Sequence, residues 1–164
     1  MATYTPAYQS VVTHTITLAS LASDTNLIAG RQGTIIDNAA TDDAVDALLG
    51  GFVSTGTTPT ASRQIEIWVG GSYDGTTYSA GLGATDANFS PTGEKTLLKL
   101  LQVIPTDGTS DHKYEFGPFS IAQAFGGVMP RKWAVYIVHN TGVNLNATAG
   151  NHEVKHTPVK YESA

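Results

Sequence analysis

Hydrophobic positions along this chain alternate more often than they recur at helical spacing. From Val12 the run Val-Thr-His-Thr-Ile-Thr-Leu puts Val12, His14, Ile16 and Leu18 on one face and three threonines on the other, which predicts a half-buried strand. His14 on that apolar face reads as a hydrogen-bonded core histidine rather than a metal ligand, because no second ligand is adjacent. Arg63 to Val69 repeats the pattern, with Ile65, Ile67 and Val69 inward and Gln64, Glu66 and Trp68 outward. His112 to Phe116 sets Tyr114 and Phe116 against Lys113 and Glu115 before Gly117-Pro118. Lys132 to His139 is apolar on both faces, Trp133, Val135 and Ile137 on one and Ala134, Tyr136 and Val138 on the other, as a central strand requires. Asn140-Thr141-Gly142 stops it with turn chemistry.

Other segments read less directly. Gly30 to Gly33 is a turn, followed by a short strand at Thr34-Ile35-Ile36. Thr41 to Gly50 has an N-cap, acids in its first turn and a terminal glycine, so local propensity favours a helix. A strand through about Phe52-Val53 is expected instead, since its neighbours are all β. Thr96 to Ile104 predicts a strand buried on both faces, and Val154 to Tyr161 an exposed edge strand that tolerates Pro158. Gly70 to Lys95, with six glycines, is a long protruding loop of the kind that is often functional. Residues 1–9, with Tyr4, Pro6 and Tyr8, lack periodicity and predict an extended N-terminal arm beside a single domain over 10–164. The predicted fold is all-β, an antiparallel, jelly-roll-like β-sandwich of about eight strands.

Composition narrows the chemistry. At 164 residues the chain can bury a core without staples, and 41% hydrophobic against 14% charged residues argues against disorder. A net charge of −5 with scattered basic residues argues against nucleic acid as a partner. Absence of cysteine removes disulfides, thiolate metal sites and cysteine nucleophiles. The N-terminus lacks the pattern of a signal peptide and no apolar run reaches membrane-spanning length, so synthesis in a cytoplasm and no membrane partner are expected.

No catalytic or phosphate-binding motif is present, and no cofactor or metal is expected. His152 and His156 would share a strand face roughly 13 Å apart, too far to chelate one ion. Asp42 and Asp43, adjacent in a strand, would point to opposite faces, which is wrong for a glycosidase pair. What remains are surface candidates. Trp68 among polar outward residues is either covered by a loop, the commoner case, or reserved for a partner. Tyr73 and Tyr78 flank the Asp74-Gly75 turn, Arg131-Lys132 is the one basic pair, and Tyr4 and Tyr8 sit on the arm. If the face carrying Tyr136 and Val138 were solvent-exposed, a contact with another copy or a partner would be its natural occupant.

Gly117-Pro118-Phe119 followed by Phe125-Gly-Gly-Val-Met-Pro-Arg-Lys-Trp133 resembles a pattern recurring in small structural proteins of tailed bacteriophages. The likeness runs in order through Ala29-Gly30-Arg31, Asp37-Asn38, Thr55 to Thr60, Ile65 to Val69 and Ser72 to Tyr78, and ends near Gly142. The chain departs from it at Gln32-Gly33, at Ala44 to Leu49 and at Ala134. The resemblance implies a gene beside that of the major capsid protein and a non-enzymatic virion product, a head decoration or accessory protein with no catalytic residues. The expected function is therefore to decorate and stabilise the capsid surface as a homotrimer, with the major capsid protein as partner. The alternative is a carbohydrate-binding module of a head or tail fibre, with Tyr73, Tyr78 and Trp68 as stacking platforms.

Overall fold

A computed structural model describes residues 3–91 and 94–163. Residues 1–2 of the expected arm and 92–93 of the long loop lie outside the described residues. The strands in chain order are β1 (Tyr4–Tyr8), β2 (Val12–Thr13), β3 (Gly30–Gln32), β4 (Ile36–Asp37), β5 (Asp46–Ser54), β6 (Arg63–Ser72), β7 (Ala87–Phe89), β8 (Lys99–Thr106), β9 (Lys113–Ser120), β10 (Lys132–His139) and β11 (Glu153–Ser163), with one helical turn, α1 (Ile121–Ala124), before β10. One sheet has the order β1-β11-β5-β9, with β2 also on β11. The other has the order β7-β3-β10-β6-β8, with β4 also on β10. Every ladder is antiparallel, so the all-β antiparallel sandwich stands.

β10 is the central strand its two apolar faces predict. β6 pairs along its full length, and β3 and β4 share its other edge. Trp133, Val135 and Ile137 face the core between the sheets, against Leu49, Val53, Ile65, Ile67 and Val154. Ala134, Tyr136 and Val138 face away from that core and are also buried, under Leu82 and Leu98 with Tyr78 and Phe89. The face offered as a possible contact is thus covered by the chain itself.

Several expectations change. β1 pairs residue for residue with β11, so residues 4–8 are an edge strand and not a free arm. Only Val12 and Thr13 of the predicted Val12–Leu18 strand form a ladder. Beyond them the chain crosses between sheets, with the His14 amide donating to Val154 (2.9 Å) and the Thr15 carbonyl accepting from Thr34 (2.8 Å). The burial alternation of His14 and Leu18 survives because each leans on the core from this bridge. No helix starts at Thr41: Thr41 and Asp42 instead close a π turn, Asn38–Asp42, which ends where Asp43 takes a left-handed conformation. The expected strand then runs from Asp46.

β8 is an edge strand with Leu100 and Val103 exposed, correcting the reading of burial on both faces. β11 is the converse, an inner strand between β1 and β5 rather than an exposed edge. Pro158 is tolerated there because it lies opposite the break between β1 and β2, where the ladder is already interrupted. β9 also continues through Gly117-Pro118 to Ser120, past an irregularity between Leu49 and Gly51 of β5. Gly51 is required by close approach, since a Cβ there would lie 2.0 Å from the Glu153 carbonyl oxygen. Gly51→Ala should destabilise the fold by about 1–3 kcal/mol in chemical denaturation.

His14 is buried as expected but unbonded: neither ring nitrogen has a hydrogen-bond partner among the described residues. Its ring packs 4.9 Å from Trp133 and 4.8 Å from His156. Burial, then the neighbouring His156, lowers its pKa to about 3, and burial lowers that of His139 to about 4. Both are neutral in the fold, whereas free histidine titrates near 6.5, so below that pH the unfolded chain binds more protons. Stability should therefore fall as pH drops from about 6.5 towards 4, by up to about 1.4 kcal/mol per pH unit for each histidine. Urea denaturation across this range should show the fall, and His14→Phe should roughly halve it, leaving the part due to His139.

Candidate partner-binding end of the sandwich

Several ionisable side chains in this fold hold loops in place. No group of three or more His, Asp or Glu positioned for a metal occurs among the described residues. Asp74 lies below the usual carboxylate range because the amides of Thr77 and Thr76 donate to it within its own turn. Asp107 is lowered by the Tyr114 hydroxyl and the Thr109 amide. Buried Glu66 accepts from Gln64 Nε2 (2.7 Å), Trp68 Nε1 (2.8 Å) and Lys95 Nζ (2.5 Å). Lys95 also donates to the Leu27 carbonyl and sits 4.6 Å above the Trp68 ring. This network fastens the long loop over the sheet, so Trp68 is loop-covered.

The two ends of the sandwich differ in kind. At one end, the loops after β2, β5, β8 and β10 are bonded to one another: Asn146 Nδ2 donates to Asp111 (2.6 Å), the Thr60 amide to the Thr141 carbonyl (2.8 Å) and the Gly142 amide to Ser23 Oγ (2.9 Å). At the other end, β9 passes through α1 into the turn of Phe125 to Arg131. Ser120 Oγ caps α1 by accepting from the Gln123 amide (3.0 Å). Gly126 and Gly127, at φ 81° and 94°, then reverse the chain. The four-residue helix itself was not expected.

This turn divides two hollows. One, of about 460 Å³, lies between it and the loop after β6, bounded by Tyr73, Phe125, Val128, Met129 and Arg131. The other, an open groove of about 720 Å³, runs from Gly126-Gly127 past Val45 to Pro6, Val159 and Tyr161. Pairing of β11 with β5 ends at Val159, so Lys160–Ser163 pair only with β1 and the two form a projecting ribbon. Directly paired residues share a face. Tyr4, Pro6 and Tyr8 therefore lie with Tyr161 on one side of the ribbon, and Lys160 and Glu162 on the other.

Five apolar or aromatic side chains stand out at this end, with Tyr4 65%, Tyr8 69%, Tyr161 61%, Tyr73 81% and Val128 73% exposed. Of the residues singled out from sequence, Tyr4 and Tyr8 share the ribbon, while Tyr73 and Arg131 share the smaller hollow. Tyr136 is fully buried, with its hydroxyl donating to the Ile28 carbonyl, and makes no surface contact. Tyr78 is half-buried against the cluster behind β10, so Tyr73, Tyr78 and Trp68 do not form one open stacking platform. Tyr161 was missed because only the β1–β11 register aligns it with Pro6. His152 and His156 stay apart in role: His152 bonds the Asn146 carbonyl (2.9 Å), and His156 packs on Trp133.

Neither a scan against protein-family models nor searches of curated proteins and of solved structures found a match to this chain.

Proposed function

We propose that this chain is a non-enzymatic structural protein of a tailed-phage virion, binding the outside of the capsid and bridging its subunits. The observation that carries the contact is the exposed tyrosine face of the β1–β11 ribbon beside the glycine turn. Three tyrosines on one short ribbon are costly to leave in water, and tyrosine is enriched at the anchoring positions of protein interfaces. The resemblance of the Phe125 to Trp133 stretch to phage structural proteins supplies the class of partner, the major capsid protein. Contacts of about 1,000 Å² or more, repeated over many symmetry copies, would add stability to a shell without any chemistry. Such a protein acts through buried area, which suits a chain in which Glu66, Asp74 and Asp107 are engaged in holding its own loops.

Density-gradient purification of the particles followed by mass spectrometry should find the protein in the particle fraction; its absence there would refute the proposal. Replacing Tyr4, Tyr8 and Tyr161 with alanine should lower retention on particles more than 10-fold, since an anchoring aromatic is worth about 2 kcal/mol. Circular dichroism should stay unchanged, because the three side chains are mostly exposed.

A further inference from the structure

Arg131 is the only charged side chain in the lining of the smaller hollow, and it enters no ion pair among the described residues. The charges around it are engaged elsewhere. Lys132 Nζ lies 3.1 Å from Asp37 Oδ2, and Asp74 accepts from Ser72 Oγ (3.0 Å), from the Thr76 and Thr77 amides and from Thr77 Oγ1. Ser79 Oγ donates to the Gly71 carbonyl (2.9 Å), so the polar groups of the wall are turned inward to the backbone. What faces the hollow is apolar. Phe125 and Pro130 lie directly against β6 because position 71 is glycine: a Cβ there would be 2.9 Å from Phe125 Cε1 and 3.0 Å from Pro130 Cβ. The exposed rims, Tyr73 and Val128, leave it an open slot whose roughly 460 Å³ is in the range of specific ligand sites.

We propose that this slot takes the apolar side chain of an extended partner segment, and that a carboxylate next to that side chain pairs with the Arg131 guanidinium. The argument is charge complementarity at an apolar pocket. The guanidinium fork matches a carboxylate in geometry as well as charge, while a neutral segment would leave it unused and a basic one would meet both Arg131 and Lys132. The inference rests on reading this end of the sandwich as partner-binding, but not on the partner being a capsid.

N-acetyl-phenylalanine, as the free carboxylate and as the primary amide, serves as the probe, titrated into the 15N-labelled chain and followed by backbone amide shifts. A ligand of this size should bind in the millimolar range. Shifts should concentrate at Gly71 to Gly75 and Phe125 to Lys132, with the amide about 10-fold weaker for want of the charge-assisted pair. Arg131→Gln should bring the carboxylate down to the affinity of the amide and leave the amide unchanged, and Val128→Glu should weaken the carboxylate more than the amide. Equal affinities for the two probes, shifts centred elsewhere, or no saturable shift up to about 50 mM would overturn the proposal. With no particle in the experiment, failure here leaves the virion reading intact, and absence from particles leaves this one intact.

Discussion

Two-sided burial of β10 is the constraint on which the rest of this structure depends. A strand with Trp133, Val135 and Ile137 on one face needs an opposing sheet, and β5, β9 and β11 supply it. Ala134, Tyr136 and Val138 on the other face need a second cover, because leaving an aromatic and two aliphatic side chains in water would forgo several kcal/mol of burial. The cover is the long loop, drawn down by Leu82 and Leu98 and fastened by Lys95 to Glu66 and by Arg31 to Asp86. A connection of this length is often functional. Here its middle packs Leu82 behind β10, while Tyr73 in the turn at its start is exposed.

That division leaves the exposed tyrosines at one end. At the opposite end the loops after β2, β5, β8 and β10 are hydrogen-bonded to one another around a largely polar hollow of about 420 Å³. The end bearing the Phe125–Arg131 turn instead holds two hollows with aromatic rims, and the ribbon extends past the body there because β11 is longer than the partner strand β5. The fold thus bonds its loops to one another at one end and exposes tyrosines at the other.

What could be read from the sequence was whatever depends on neighbours in the chain. Alternation located the strand cores at Ile65 to Val69, Tyr114 to Phe116 and Trp133 to Ile137. What could not be read depends on who pairs with whom. An apolar run such as Leu97 to Ile104 looks the same in an inner and an edge strand, and only the sheet order puts β8 at the edge. The polar, proline-bearing β11 looked like an edge, yet pairing with residues 4–13 makes it an inner strand. The same long-range pairing turned an expected arm into a ribbon and brought Tyr161 beside Pro6. Tyr136 failed as a contact for the related reason that its cover comes from residues more than 30 positions away in sequence.

The central claim is that this end of the sandwich faces the partner. Cryo-electron microscopy of the intact particle tests it most directly, at a resolution where the chain can be oriented. The account predicts capsid density against the β1–β11 ribbon and the Phe125–Arg131 turn, with the hydrogen-bonded loops at the other end pointing outward. Capsid contacts made through those loops, with the tyrosine ribbon left in solvent, would contradict it.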